Sequence, residues 1–513
     1  MSLTTSRRKF LLLLSAATGW FVAPVVGQSN HPEKPRRPGP GGRGQRRAED
    51  YVLPPELAAF NWLSLVLGCV SDRAVTVNAL AKETLEGFFE YGTATGSYPN
   101  KTGLITLPAG KPVETVLANL LPATQYYYRL NLRKPGETNF APRPECRFHT
   151  QRATGSAFTF AIQGDSHPER AQMSEPNLYA RTLLTAAAAK PDFYICMGDD
   201  FSVDTLPTIN AETVTGRYTL QRPFLGIVGQ SAPVFLLNGN HEQASLFNYN
   251  QTDVRHQVAV LAQNARNRFF SVPAPDGFYT GDTAPLAGIG LRKDYCAWTW
   301  GDALFVILDN YWHSPAPVDN NFQAEAHGEG HGGGIRDWWG VTLGDAQYQW
   351  FKRTLEQSRA KYKFVFAHHV LGTGRGGVDT CELFEWGGRN RRGDYEFKER
   401  RPGWELPVHQ LMVKHGVTIF FQGHDHLYCR QERDGIIYQE VPMPADHGYQ
   451  TYNAERYQSG VKLPNSGHLR VTVSPENVKV DYVRSFLPKD ETAQNKTGDL
   501  AHSYTVKAKG LHA

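Results

Sequence analysis

Cysteine is scarce and scattered. Six occur in 513 residues (Cys69, Cys146, Cys196, Cys296, Cys381 and Cys429), and none stands in a Cys-x-x-Cys spacing. That excludes a zinc ribbon built on paired thiolates. It also gives no sign of the disulfide framework that staples small secreted domains. If a bridge forms, Cys69 and Cys146 are the expected pair, because both fall in one small N-terminal segment. Charge of one sign is also lacking over most of the chain. Residues 1–50 carry nine Lys/Arg against three Asp/Glu, whereas the remainder carries 45 against 47. A body so near neutrality lacks the basic footprint of a nucleic-acid binder. Apolar side chains are plentiful at 41%, enough for sizeable cores, and a chain of this length is expected to divide into two or three domains.

Ser6-Arg7-Arg8-Lys9-Phe10-Leu11 leads into an apolar run that ends at Val26. Paired arginines before a moderately apolar segment resemble a twin-arginine export signal over residues 1–27, with cleavage expected after Gly27. The alternative is an uncleaved membrane anchor, which Gly19 and Pro24 inside the run oppose. Residues 28–50, rich in Pro, Gly and Arg, cannot bury enough apolar surface to order themselves and are expected to be a linker.

Residues 51–150 change character. Ala74-Val-Thr-Val-Asn78, Gly87-Phe-Phe-Glu-Tyr91 and Gln125-Tyr-Tyr-Tyr-Arg129 are short β-branched and aromatic runs separated by turn signals, which predicts a small all-β sandwich. The segment Leu120-Leu-Pro-Ala-Thr-Gln-Tyr126 resembles fibronectin type III domains. No cluster of ligand-type residues is visible there, so a scaffold or spacer role is expected.

Residues 156–485 alternate strands with helical stretches, among them Glu175–Ala189 and Asp345–Leu355, which argues for a layered α/β domain. Five strand-like runs each stop at polar residues. Phe158–Gln163 runs into Gly164-Asp165-Ser166-His167, and Asp192–Met197 into Gly198-Asp199-Asp200. Val234–Leu237 runs into Asn238-Gly239-Asn240-His241-Glu242, Lys363–Ala367 into His368-His369, and Val417–Gln422 into Gly423-His424-Asp425-His426. Open α/β sheets place chemistry at the carboxyl ends of their strands. Asp165-x-His167 and Gly198-Asp199 alone are common, but two histidines two residues apart after a buried strand have few structural uses, and five such strand ends in one domain point to a metal site. Asp, Asn and His supply oxygen and nitrogen donors that suit Fe, Mn, Zn or Ni, and a shared carboxylate suits a pair of ions. Two glycine-rich polar stretches, Ser314–Gly334 with His327 and His331, and Gly372–Gly393 with Arg375, are expected to be lids or substrate-binding insertions. Residues 486–513 show no periodicity and are left as a C-terminal tail.

The ordered set Asp165-x-His167, Gly198-Asp199, Gly239-Asn240-His241-Glu242, His368 and Gly423-His424-x-His426 resembles the calcineurin-like metallophosphoesterase family. With the β-sandwich in front, the architecture is similar to that of purple acid phosphatases. The fold implied is α/β, a layered β-sandwich core flanked by helices, preceded by the small fibronectin type III-like sandwich.

By that resemblance Asp165, His167 and His426 bind a first metal, Asp199 bridges, and Asn240, His368 and His424 bind a second. His241 is then the non-ligand imidazole that holds phosphate or protonates the leaving group. Asn240, His241, His369 and Arg375 are expected to meet substrate, and Asp425 has no assigned role. His368 rather than His369 is taken as the ligand, because it directly follows Ala367. The activity implied is hydrolysis of a phosphorylated small molecule or nucleotide by a water activated between two transition-metal ions (Fe, Mn or Zn). The protein would be periplasmic or secreted. Its export in the folded state suits prior metal loading, and membrane contact would come only from the signal segment.

One departure stands out. Purple enzymes carry a metal-bound tyrosine three residues after the bridging aspartate, where this chain has Ser202, and they lack a counterpart of His167. The site therefore resembles the non-purple branch. Two alternatives are a nucleotide pyrophosphatase or cyclic-nucleotide phosphodiesterase, and a non-catalytic cell-surface binding module.

Overall fold

The computed structural model describes residues 53–244, 254–314, 338–370 and 374–508, all within one compact unit, Gly44–Ala513. The expected export signal, the linker, His327 and His331 lie outside the described residues. No described helix is long and apolar enough to cross a membrane.

The N-terminal segment forms two antiparallel sheets. One joins Leu63–Gly68, Val75–Ala81 and Val113–Leu117, and the other is built around Leu85–Gly92 and Gln125–Arg133. Period-two alternation explains the strand Gln125–Arg133: Tyr126, Tyr128 and Leu130 are buried, while Tyr127 and Arg129 are half-buried on the other face. The Tyr126 hydroxyl accepts the Leu121 N–H at 2.8 Å, which ties down the Leu-x-Pro-x-Thr-x-Tyr segment.

The remaining strands form two larger sheets. In the first, the order is Val234–Leu236, Tyr194–Cys196, Phe158–Gln163, Gly467–Val473, Asn477–Arg484, Leu500–Lys507; the first three are parallel. The second contains the parallel run Ala303–Ile307, Tyr362–Phe366, Ile419–Gln422, Ile436–Glu440. Their inner faces share one core, in which Phe160 meets Phe305 edge-on at 5.1 Å and Phe366 stacks on Phe421 at 4.9 Å. Alternation sends Val365 and Phe420 outward to a second cluster with Phe351 and Leu411 of the helices Gly344–Gln357 and Val408–Lys414. Helices Pro176–Ala188 and Ala211–Gly229 cover the outer face of the first sheet. Their starts follow from side-chain caps: Glu175 accepts the Leu178 N–H, and Asn210 closes a capping box with Thr213.

Two expectations are corrected here, on the cysteines and on the tail. All six cysteines are free. Cys69 Sγ turns to the Ser271 carbonyl at 3.4 Å and Cys146 Sγ to Gln230 Oε1 at 3.5 Å, so the expected pair finds other partners. Residues beyond 485 contribute a strand, Leu500–Lys507, which pairs with Asn477–Arg484 as a sheet edge. Its alternation is short and only half-buried: His502, Tyr504 and Val506 face the sheet side while Ser503, Thr505 and Lys507 are exposed, a period that the reading as a tail misses. The stretch Gly372–Gly393, as far as it is described, holds the short helical turns Gly377–Asp379 and Phe384–Gly387. It is pinned by Trp386, which is wholly buried and donates its indole N–H to the Tyr438 hydroxyl at 2.9 Å.

Candidate metal centre

The five strand ends meet along one edge of the paired sheets. Asp165, His167, Asp199 and His426 place one donor atom each within 4.8 Å of one another, and Asp199, His368 and His424 do the same. All six side chains in these two groups are buried. Each carboxylate is used in the same way. Asp165 Oδ1 accepts the His424 backbone N–H at 3.0 Å, leaving Oδ2 at 2.8 Å from His426 Nε2 and 3.9 Å from His167 Nε2. Asp199 Oδ1 accepts the His241 backbone N–H at 2.9 Å, leaving Oδ2 at 3.6 Å from His167 Nε2 and 3.3 Å from His368 Nε2. Asn240 Oδ1 lies 3.0 Å from His368 Nε2. The His368 ring is set by its other nitrogen, Nδ1, at 2.8 Å from the Met197 carbonyl.

The backbone is bent to bring these groups together. His167, Asp199, His424 and His426 all have positive φ, a conformation that costs a non-glycine residue on the order of 1–3 kcal/mol and persists where the surroundings over-determine it. The glycines of the motifs serve close approach. A Cβ on Gly239 would stand 2.1 Å from Asp199 Oδ1, and one on Gly423 would stand 2.7 Å from Asp165 Oδ1.

The electrostatics suit a cation pocket. Burial opposes ionisation of Asp165, but His368 and His426 hold its carboxyl down to about 2. Asp199 is likewise kept well below the ordinary range by His368 and His241, against its burial. His368, opposed by burial, is drawn up to about 10 by the same two carboxylates. His167 is pushed down to about 4 by burial and Arg170. The ring nitrogens His167 Nε2 and His424 Nε2 are buried with no hydrogen-bond partner among the described residues. Buried polar atoms are nearly always satisfied. Two orphaned imidazole nitrogens facing ionised carboxylates therefore match the donor set of a metal centre.

His241 stands beside the centre, with Nε2 at 4.0 Å from Asp199 Oδ2. Its Nδ1 is 2.6 Å from Asp204 Oδ2, and its Nε2 is 2.8 Å from Arg170 Nη2. His369 belongs to neither donor group. It is almost fully buried, with its ring 4.9 Å from that of His424 and stacked on Tyr311, and Asn310 donates to its Nδ1 at 2.9 Å. Arg375 is tied to the His424 turn by its 2.9 Å contact with Asp425 Oδ1.

Several residues were missed from the sequence. Asp425 also accepts the Gly376 N–H and the Tyr457 hydroxyl. Glu242 gathers the backbone N–H groups of Asp199, Asp200, Phe201 and Gly239, and so holds the Asp199 turn. Glu242 was visible inside the Gly-Asn-His-Glu run, but its partners at 199–201 lie some forty residues upstream, and no local pattern announces them. Asp204 and Arg170 carry no signal beyond their nearness to the motifs.

A family model described as calcineurin-like phosphoesterase matches residues 158–428. Among solved structures, the chain is similar to purple acid phosphatase PPD1 from yellow lupin (Lupinus luteus) seeds. The identity is 16%, the match covers 87% of this chain and 74% of that one, and the TM-score is 0.55. It is also similar to PhoD, at 14% identity over 88% of this chain and 90% of that one, with a TM-score of 0.60. At these identities the likeness is one of fold. No curated protein matches the chain.

Proposed function

The chain belongs to the calcineurin-like phosphoesterase family and is a phosphoric ester hydrolase, and from that premise we propose that it works at a dinuclear metal centre as an exported phosphatase-type enzyme. The observation that carries this reading is the shared carboxylate: Asp199 is a member of both donor groups. Asp165, His167 and His426 would hold one ion with Asp199, and Asn240, His368 and His424 would hold the other. When bound, such a pair supplies an activated water and neutralises charge on the phosphoryl oxygens. The nitrogen and oxygen donors suit Fe, Mn or Zn. Ser202, whose Oγ lies 3.3 Å from His167 Nδ1, offers no phenolate for a purple iron–tyrosinate centre.

The rest of the work falls to side chains around the centre. Asp204 accepts the His241 Nδ1–H and, against the ring's burial, draws its pKa up together with Asp199. In the protonated ring, with Arg170 turned from that nitrogen to the phosphoryl group, Nε2–H would be the proton handed to the leaving oxygen. Arg170, beside that nitrogen, faces the same space with a guanidinium able to hold phosphoryl oxygens. The Asp425–Arg375 pair places a second guanidinium on the His424 side. His369, packed on His424, would support that ligand and border the substrate. Export is assigned to Arg7 and Arg8, and replacing both with lysine should strand precursor in the cytoplasm.

Hydrolysis of p-nitrophenyl phosphate and bis-p-nitrophenyl phosphate, before and after chelation and metal restoration, tests the reading. Chelator-sensitive turnover that returns with metal is the expected result, and the faster substrate separates monoester from diester chemistry. Turnover indifferent to chelation would overturn it.

A further inference from the structure

His167, Pro168, Glu169 and Arg170 form a tight turn closed by the Arg170 N–H to the His167 carbonyl at 2.9 Å. Proline at the second position pre-sets such a turn. The turn folds Glu169 back under its own histidine. Glu169 has no solvent exposure. One of its oxygens, Oε1, is 3.1 Å from His167 Nδ1 and 3.4 Å from Arg170 Nε. Ser202 Oγ lies near the same ring nitrogen at 3.3 Å.

We infer that Glu169 is a positioning residue that locks His167 in the tautomer able to bind metal and ties that ligand to the phosphoryl-side cation Arg170. A carboxylate paired with a guanidinium accepts hydrogen bonds and does not donate them. The proton of the neutral His167 ring therefore sits on Nδ1, shared with Glu169, and the lone pair is on Nε2. Nε2 is the nitrogen that faces Asp165 and Asp199 and has no hydrogen-bond partner among the described residues. Without Glu169 the ring is free to turn or to carry its proton on Nε2, and the first pocket loses a donor. Outer carboxylates of this kind typically alter metal affinity by about 10–100-fold. The same oxygen steadies Arg170, which reaches His241, so one buried carboxylate serves the metal pocket and the leaving-group side together.

This inference rests on the two-ion reading of the centre, but its test does not use hydrolysis. Zn2+ is titrated calorimetrically into the chelator-stripped full chain, wild type and Glu169→Gln, with melting of the metal-free proteins as the check on folding. The expected result is a wild type that takes two ions and a variant in which one ion binds about 10–100-fold more weakly while the other is unchanged. Wild-type affinity at both sites in a folded variant overturns the role of Glu169 and leaves the phosphoesterase reading standing. A wild type that binds neither zinc nor, in a repeat titration, Mn2+ overturns the inference and the two-ion reading together. If the variant does not fold, nitrogen NMR of histidine-labelled, metal-free wild type decides: a proton on His167 Nδ1 supports the inference, and one on Nε2 overturns it.

Discussion

The Asp199 carboxylate and the His368 imidazole face each other at 3.3 Å, Oδ2 to Nε2. The same oxygen is 3.6 Å from His167 Nε2, so a single carboxylate oxygen lies between the two donor groups. Replacing Asp199 with alanine should abolish turnover and reduce bound metal from two ions to one or none per chain. Elemental analysis of the purified variant checks this, and two tightly held ions would remove Asp199 from its bridging role.

His241 is near the centre without belonging to either donor group. The variant His241→Ala should keep both ions and lose about 10²–10⁴ in kcat, the usual worth of positioned acid–base help. Metal content and kcat are measured on the same preparation. Loss of an ion would make His241 a ligand, and near-native kcat would take it out of the mechanism.

Gly239 leaves no room for a side chain. Its added Cβ would meet Asp199 Oδ1 at 2.1 Å and Asp199 N at 2.4 Å, and backbone cannot yield as a flexible side chain can. Gly239→Ala should destabilise the fold by roughly 1–3 kcal/mol, as overpacking does, and displace Asp199 enough to weaken metal binding. Urea denaturation and metal analysis read the two effects. A variant with wild-type stability and two ions would show that the turn is freer than the geometry indicates.

His468 lies at the start of the strand Gly467–Val473, fully buried, and burial together with Arg470 pushes its pKa down to about 3. The unfolded chain takes up this proton near the ordinary histidine pKa of about 6.5, whereas the folded chain does so only near 3. Below about pH 6.5 the unfolded state binds more protons, so stability falls as pH falls through that window. The contribution lost between pH 7 and pH 5 is roughly 2 kcal/mol. Urea midpoints of metal-free protein at the two pH values, compared with His468→Gln, isolate it. An identical pH dependence in the variant would assign the acid limb to other groups.

Much of the centre could be read from local pattern alone. A buried strand writes its period into a few consecutive residues, and Phe158–Gln163 is observed with the bounds the pattern predicts. The glycines after four of the five runs, and the ligand types beside them, are equally local; at Gly239 and Gly423 the turn must bring backbone close to a neighbouring carboxylate. Two sheets with flanking helices follow from the same alternation of strands and helices.

Where a side chain ends up touching chain far away, the pattern fell silent. Glu242 reaches the turn at Asp199–Phe201, and Asp425 holds the segment beginning at Arg375. Leu500–Lys507 shows only a short half-buried alternation of its own, and the edge that makes it a strand is supplied by Asn477–Arg484. The choice between His368 and His369 belongs to the same class. Adjacent on the chain, they are alike to any reading of spacing. The Met197 carbonyl turns the first toward Asp199, while Asn310 and Tyr311 hold the second against His424. The sequence by itself determined which residue types end each strand, since strand period and turn chemistry act over a few residues. Which of their atoms face one another was decided only when the sheets closed, because hydrogen bonds and burial act through space between segments as much as 261 residues apart at the centre.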